Sequence, residues 1–277
     1  MKIKIPFLKK PPLVPILRLS GVIGGAGRFS SGLTDAGLAP LIERAFTRGT
    51  PAAVALVINS PGGSPVQSSL IAARIRRLAD EKKIPVHCFV EDVAASGGYW
   101  LACTADKIYA QETSIIGSIG VISGGFGFTE LIQRHGIERR IYTSGKDKSF
   151  LDPFTEEKPA DVKRLKKLQS QLHESFKNWV KESRGDRLNG TDAVLMEGGF
   201  WVAPEAIEKG IIDELGDVTE VMKSEFGEKV KFIEMSPEKK MFAGLIPFGA
   251  EAKIDGEILI DALDVMNNRA LWTRYGL

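Results

Sequence analysis

Apolar residues fall along this chain in two rhythms that alternate. Leu13 to Leu19, Ala53 to Ile58 and Ile84 to Val90 are short, nearly continuous apolar runs, the pattern of strands buried on both faces of a parallel sheet. Between them the spacing changes to that of helices. Thr34 and Asp35 offer an N-cap for a helix to about Ala45 that ends near Gly49. Pro65 to Asp80 reads as a second helix, with Leu70, Ala73, Ile75 and Leu78 on its apolar side and Arg74, Arg76 and Arg77 adding charge. Strand and helix alternating through short connections predict right-handed βαβ crossovers, with sites at the carboxyl ends of the strands. The turn Asn59 to Ser64 and the turn at Ser96-Gly97-Gly98 each follow a strand and open a helix. Both are expected on the same edge of the sheet.

Beyond Ser96, Tyr99, Trp100 and Leu101 enter a helix, and Lys107 to Ala110 and Ile115 to Ile122 read as short strands. Thr129 to His135 predicts a helix stopped by Gly136, Glu138 to Tyr142 a strand, and Thr143 to Lys148 an exposed loop. From Pro159, Val162, Leu165, Leu168, Leu172, Phe176 and Trp179 recur at three and four, which is a long amphipathic helix whose basic other face reads as solvated surface. Asn189 to Glu197, Ala203 to Lys209 with Gly210 as its C′ residue, and Val218 to Phe226 are further helices, and Val230 to Ile233 is a last strand. From Ser236 the pattern loosens, and Pro237, Pro247 and the apolar Ile258 to Val265 read as an arm that packs on a neighbour. The expected organisation is a basic tail over 1–12, an α/β domain over 13–235, and an arm over 236–277 for oligomer contacts.

Composition narrows the classes. The 277 residues are 43% hydrophobic and 26% charged, enough to bury a large core, and a net charge of +2 supplies no broad basic field for nucleic acid. Cys88 and Cys103 are too few for a disulfide framework and lack the spacing of a metal site, so a reduced compartment and no metal or cofactor are expected. The first 21 residues are interrupted by prolines, lysines and an arginine, and Met241 to Ala250 is short and holds Pro247; no secretory segment or membrane span can be drawn through either. Lys2, Lys4, Lys9 and Lys10 with Phe7 and Leu8 allow peripheral contact with an anionic membrane, so the expected location is cytoplasmic or at the inner face of the cell membrane. The Gly21 to Gly32 loop has neither a Walker pattern nor G-x-G-x-x-G before a helix.

The chemistry centres on Ser96, which sits between two alanines and two glycines where a strand turns into a helix. Small neighbours let a carbonyl approach, and the Gly97 N–H at the helix mouth can face a developing oxyanion. Ser60 and Ser64 read instead as turn and cap residues. A serine needs a base. Of the three histidines, His87 lies about nine residues upstream on the same strand, which at roughly 3.3 Å per residue carries it well away; His135 and His173 read as packing or surface residues. A lysine remains. With an ordinary pKa of about 10.4 it is neutral only a few times in ten thousand at pH 7, a deficit of roughly 4.6 kcal/mol. Burial lowers lysine pKa by about 3 to 5, enough to remove most of that deficit. Spacing and composition leave two candidates, Lys148 beside Phe150 and Leu151, and Lys107 within ADKIYA.

SPGGS, AASGGYW, ADKIYA, GSIGVI and SGKDKSF occur in that order and together resemble the S49 peptidases, the signal peptide peptidase A family, over roughly Val14 to Gly216. The resemblance implies that Ser96 is the nucleophile, that Lys148 is the general base, and that Ser118 hydrogen-bonds the lysine. It implies a ClpP/crotonase-type α/β core and a homo-oligomeric ring, in which serine and lysine can come from adjacent subunits. The backbone N–H groups of Gly62 or Gly63, with Gly97, then form the oxyanion hole. Family members typically carry a membrane anchor, and none is visible here. The activity implied is that of a serine endopeptidase acting on extended peptides such as remnant signal peptides through an acyl-enzyme, with no cofactor. Two alternatives are a crotonase-like acyl-CoA hydratase or isomerase, which usually enlists a carboxylate at the site, and a non-catalytic ring scaffold that keeps the motifs as turns.

Overall fold

The computed structural model describes residues 11–27, 30–145, 147–236, 266 and 269–277. Residues 1–10 of the expected tail and 237–265, 267 and 268 of the expected arm lie outside the described residues. The chain divides into two compact units, one built from Met1–Ile119 with Trp179–Leu277, the other from Gly120–Asn178.

In the first unit, strand β1 (Leu13–Ser20) is followed by a small hairpin, β2 (Ala26–Gly27) with β3 (Ser30–Ser31), and by helix α1 (Asp35–Thr47). The Thr34 hydroxyl caps α1 by accepting the Gly37 N–H, and Asp35 holds the α1–α2 contact by a two-pronged pair with Arg74 at 2.7 and 2.8 Å. Strand β4 (Val54–Ser60) is buried along almost its whole length, as its unbroken apolar sequence requires of a central parallel strand. Helix α2 (Pro65–Lys82) begins with Ser64 as N-cap and proline at its first position, where no intrahelical N–H is needed. Strand β5 (Val86–Ala95), helix α3 (Gly97–Ala102), and strands β6 (Lys107–Ala110) and β7 (Ile115–Gly117) complete this half of the sheet.

The second unit contains helix α4 (Thr129–Arg134) and most of helix α5 (Pro159–Arg184). Glu138 to Tyr142, expected as a strand, is irregular and exposed, since among the described residues no strand neighbours it to take its backbone groups. Returning to the first unit, α6 (Asp192–Leu195) is shorter than the predicted helix and is preceded by a 3₁₀ turn at Gly185–Arg187. There follow β8 (Phe200–Val202), α7 (Ala203–Glu208), β9 (Glu214–Leu215), α8 (Val218–Phe226) and β10 (Lys231–Glu234).

Among the described residues the sheet has eight strands, running β10-β1-β4-β5-β6-β9, with β7 paired to β5 and β8 to β7. All pairings in it are parallel except β7 with β8. Strand β5 is unusual in having two partners on one side. Its first half, His87 to Val90, pairs with β6; its last three residues, Val93 to Ala95, pair with β7. A register shift against β4 between Ile58 and Ser60 accompanies this change of partner. One sheet face packs Ala55, Val57, Phe89 and Tyr109 against Met222 of α8. Under the final residues of β5, Val93 and Ala95 pack with Tyr275 and Trp272 near the carboxyl terminus.

The basic face of α5 is exposed at Lys163, Arg164, Lys166, Lys167 and Lys181, and the exception is Arg184 at the helix end. The Arg184 side chain is fully buried and forks onto Asp213 with two 2.9 Å hydrogen bonds, while its Nε donates to Gly210 O at 3.0 Å. Asp213 also accepts the Ile108 N–H at 2.7 Å, so this pair ties the helix end to β6 and to the start of β9. Cys88 and Cys103 are both free and buried; burial pushes the Cys103 thiol up to about 11 and the Cys88 thiol well above its ordinary value, so both stay protonated and unreactive.

Candidate active site

Strand β5 runs into α3 through one residue, Ser96, whose backbone stands at φ 52°, ψ −120°. That conformation is costly for a residue with a Cβ, of order 1–3 kcal/mol, and persists only where the surroundings enforce it. Here they do so from both sides: the Ser96 N–H donates to Gly117 O at 2.8 Å, and the Trp100 N–H donates to Ser96 O at 3.0 Å. The side chain is thereby turned out of the strand at a position that is partly exposed, while Ala95 before it and Gly97 after it are buried.

The turn Asn59 to Ser64 meets this elbow at very close range. A Cβ placed on Gly62 would stand 2.8 Å from Ser96 Cβ and 2.9 Å from Gly97 N, so only glycine lets the two turns come together. Gly63 is held by a backbone bridge to Ile23: Ile23 N–H donates to Gly62 O at 2.8 Å and Ser64 N–H to Ile23 O at 2.7 Å. The Gly62 N–H is engaged by the fully buried Ser60 hydroxyl at 3.2 Å. Among the described residues the N–H groups of Gly63 and Gly97 make no hydrogen bond, and Gly63 N lies 3.3 Å from where a Cβ on Gly97 would be. Two unpaired donors therefore flank Ser96.

Ser118 follows the last residue of β7, and the Ala95–Gly117 pairing places it next in register to Ser96. It is the neighbouring strained serine, at φ 52°, 4% exposed, with its N–H donating to Gly199 O at 2.6 Å. This positive φ, together with φ 118° at Gly117, is why the strand expected to run from Ile115 to Ile122 stops at Gly117.

The two lysines fall in different surroundings. Lys107 opens β6 opposite His87, at the amino end of the strands, and its ammonium stands 3.5 Å from Glu214. The fields of Tyr109 and Glu214 raise its pKa, the wrong direction for a base. Lys148 lies in the second unit, exposed, in a turn where its N–H donates to Gly145 O at 3.3 Å. His87 is at the amino end of β5, the opposite end of that strand from Ser96, as its sequence separation required.

Ile23 is the residue that sequence reasoning passed over. It sits in the glycine-rich loop, 1% exposed, yet its backbone fixes Gly63 and its Cδ1 would be 3.2 Å from a Cβ on Gly97. The available signal was the apolar pair Val22-Ile23 in a glycine-rich, flexible-looking loop. Ser60 matters in the same way: Ser60→Ala leaves the Gly62 N–H without its acceptor and loosens the turn beside Ser96. The expected result is a loss of about 1–3 kcal/mol of stability, the cost of one buried donor left unpaired, as urea unfolding will measure.

Comparison with known proteins bears on the family and the fold. The chain is 43% identical over 272 residues to a Brucella melitensis protein named Na(+)/H(+) antiporter NhaA, a match covering 95% of this chain and 37% of that one. No described helix here is long and apolar enough to cross a membrane. It is 29% identical over 187 residues to the chloroplastic serine protease SPPA of Arabidopsis thaliana, covering 65% of this chain and 27% of that one. The chain thus spans well under half the length of either relative. The 1510-N membrane-bound stomatin-specific protease, solved in complex with a substrate peptide, shares the α/β fold with a TM-score of 0.53 at 18% identity, over 92% of this chain and 99% of that one. The model of peptidase family S49 matches residues 78–230, more than half of the chain and inclusive of Ser96, Ser118 and Lys148, and the chain belongs to that family of serine-type peptidases.

Proposed function

We propose that the chain is a serine endopeptidase in which Ser96 is the nucleophile and Lys148 the general base. The observation that carries this reading is the strained Ser96 elbow with the unpaired N–H groups of Gly63 and Gly97 beside it. In the proposed cycle Ser96 Oγ attacks the scissile carbonyl and the oxyanion falls between those two N–H groups. Gly62 is left out of the pair because its N–H already serves Ser60. Lys148 takes the serine proton, returns it to the leaving amine, and then activates the water that releases the acyl group. The Ser118 hydroxyl directs the lysine lone pair without adding a charge.

A neutral Lys148 requires that water be displaced from it, and it is exposed in the single chain. A second copy is the natural source of that burial. The second unit supports this by exposing Ile122, Phe126, Leu131, Ile137 and Tyr142, the last at 92%. The proposed assembly is a homo-oligomer whose enclosed sites admit extended peptides, remnant signal peptides among them, with the basic tail available for peripheral membrane contact.

Fluorophosphonate labelling followed by peptide mapping tests the nucleophile. A single adduct on Ser96 is expected, absent from Ser96→Ala; an adduct on Ser60 or Ser64 instead, or none, would overturn the assignment.

A further inference from the structure

Trp201 sits on β8 opposite Ile116, where β7 is about to turn through Gly117 and Ser118. Its indole covers two glycines at once. A Cβ on Gly117 would stand 2.9 Å from Trp201 Cζ3 and 3.0 Å from Cε3, and a Cβ on Gly199 would stand 2.9 Å from Cζ2, so the ring occupies the space that both residues leave by having no side chain. The Lys209 ammonium lies over the same ring, 5.3 Å from its centroid, and Glu205 holds that ammonium at 3.4 Å.

Those two glycines supply backbone acceptors to the serines of the site. Gly117 O accepts the Ser96 N–H at 2.8 Å, and Gly199 O accepts the Ser118 N–H at 2.6 Å. The Gly198 N–H donates to Ile119 O at 3.0 Å and ties down the same loop. Regular pairing has ended here, and φ is 52° at both Ser96 and Ser118, a conformation that lasts only while the surroundings enforce it. A rigid ring packed on Gly117 and Gly199 keeps their carbonyls in place against that strain. Accuracy matters at such a point, because a displacement of about 1 Å in a supporting residue costs on the order of 10²-fold in rate.

We propose that Trp201 is a positioning residue for Ser96, acting through Gly117 O: its indole clamps Gly117 and Gly199 and so holds the serine at the angle that faces the unpaired N–H groups of Gly63 and Gly97. The inference rests on the reading of Ser96 as the nucleophile.

Steady-state peptide hydrolysis and the rate of fluorophosphonate labelling of Ser96 test it on the purified full-length protein, each variant being assayed at a temperature where thermal unfolding shows it folded. Trp201→Ala is expected to lower kcat and the labelling rate together by about 10- to 100-fold, with KM within about two-fold of wild type, because misplacement affects the transition state and not ground-state binding. Trp201→Phe keeps an aromatic ring on the glycines and should stay within about five-fold of wild type. Gly199→Ala reaches the same turn from the other side, since its methyl meets the indole, and should lower kcat at least about five-fold with Trp201 in place. Where Trp201→Ala does not fold, Gly199→Ala decides. Met222→Ala, which opens a cavity beside Phe89 and Tyr109, lowers stability and leaves kcat unchanged. Wild-type kcat in Trp201→Ala or in Gly199→Ala, an effect on KM alone, or an equal loss of kcat in Met222→Ala would each overturn the proposal. Ser96→Ala run alongside separates the two readings. If it hydrolyses peptide at the wild-type rate, the nucleophile is misassigned and the role of Trp201 falls with it; an inactive Ser96→Ala beside a fully active Trp201→Ala refutes the role of Trp201 alone.

Discussion

Ser96→Ala is expected to lower kcat/KM for peptide hydrolysis by about 10⁴-fold or more while leaving the fold intact, because removing the proposed nucleophile abolishes the proposed covalent route and leaves only binding and oxyanion stabilisation. The folded state should if anything gain stability in a Ser96→Gly variant, since glycine occupies φ 52° without the Cβ penalty that serine bears there. Opposite movements of activity and stability at one residue are the signature of strain kept for function. A Ser96→Gly variant less stable than wild type by thermal unfolding would show that the serine side chain contributes packing instead.

The largest structural effect is expected at Arg184. Arg184→Met leaves the Asp213 carboxylate partly buried without its fork, and the expected loss is about 3–5 kcal/mol by urea unfolding, a large part of the stability of an ordinary domain. The effect depends on pH. Burial pushes the Asp213 carboxyl up, but hydrogen bonds from Arg184 and the Ile108 N–H outweigh it and hold the pKa below the ordinary value. The pair's contribution is therefore fully present above the unfolded carboxylate value of about 3.9 and fades as pH falls through Asp213's own, lower pKa. The stability gap between wild type and Arg184→Met should narrow below about pH 4; a gap that widens on acidification would contradict the pairing.

What the sequence made legible follows from how local each signal is. Val54 to Ser60 is readable because a strand buried on both faces must be apolar throughout, and the Ser96 turn because small residues crowd where a strand becomes a helix. Strands β8 and β9, of three and two residues, carry no periodicity and exist only through partners distant in sequence. The role of Arg184 has no local signal because its partner, Asp213, lies 29 positions away. Ser118 could be named from the family resemblance, but its strained backbone and its place beside Ser96 arise from the switch of β5 from β6 to β7, which no stretch of the sequence announces. Ile23 was hidden for the same reason: its role is a backbone bridge to Gly63.

The most direct test of the serine–lysine chemistry is peptide hydrolysis by purified Ser96→Ala, by Lys148→Ala and by a subunit-exchanged mixture of the two, with wild type alongside. Both single variants should be inactive, and the exposed Lys148 predicts that the mixture regains activity by assembling the pair across copies. A mixture that stays inactive despite verified exchange would place the pair within one chain. Hydrolysis by either single variant at the wild-type rate would contradict the Ser96–Lys148 mechanism itself.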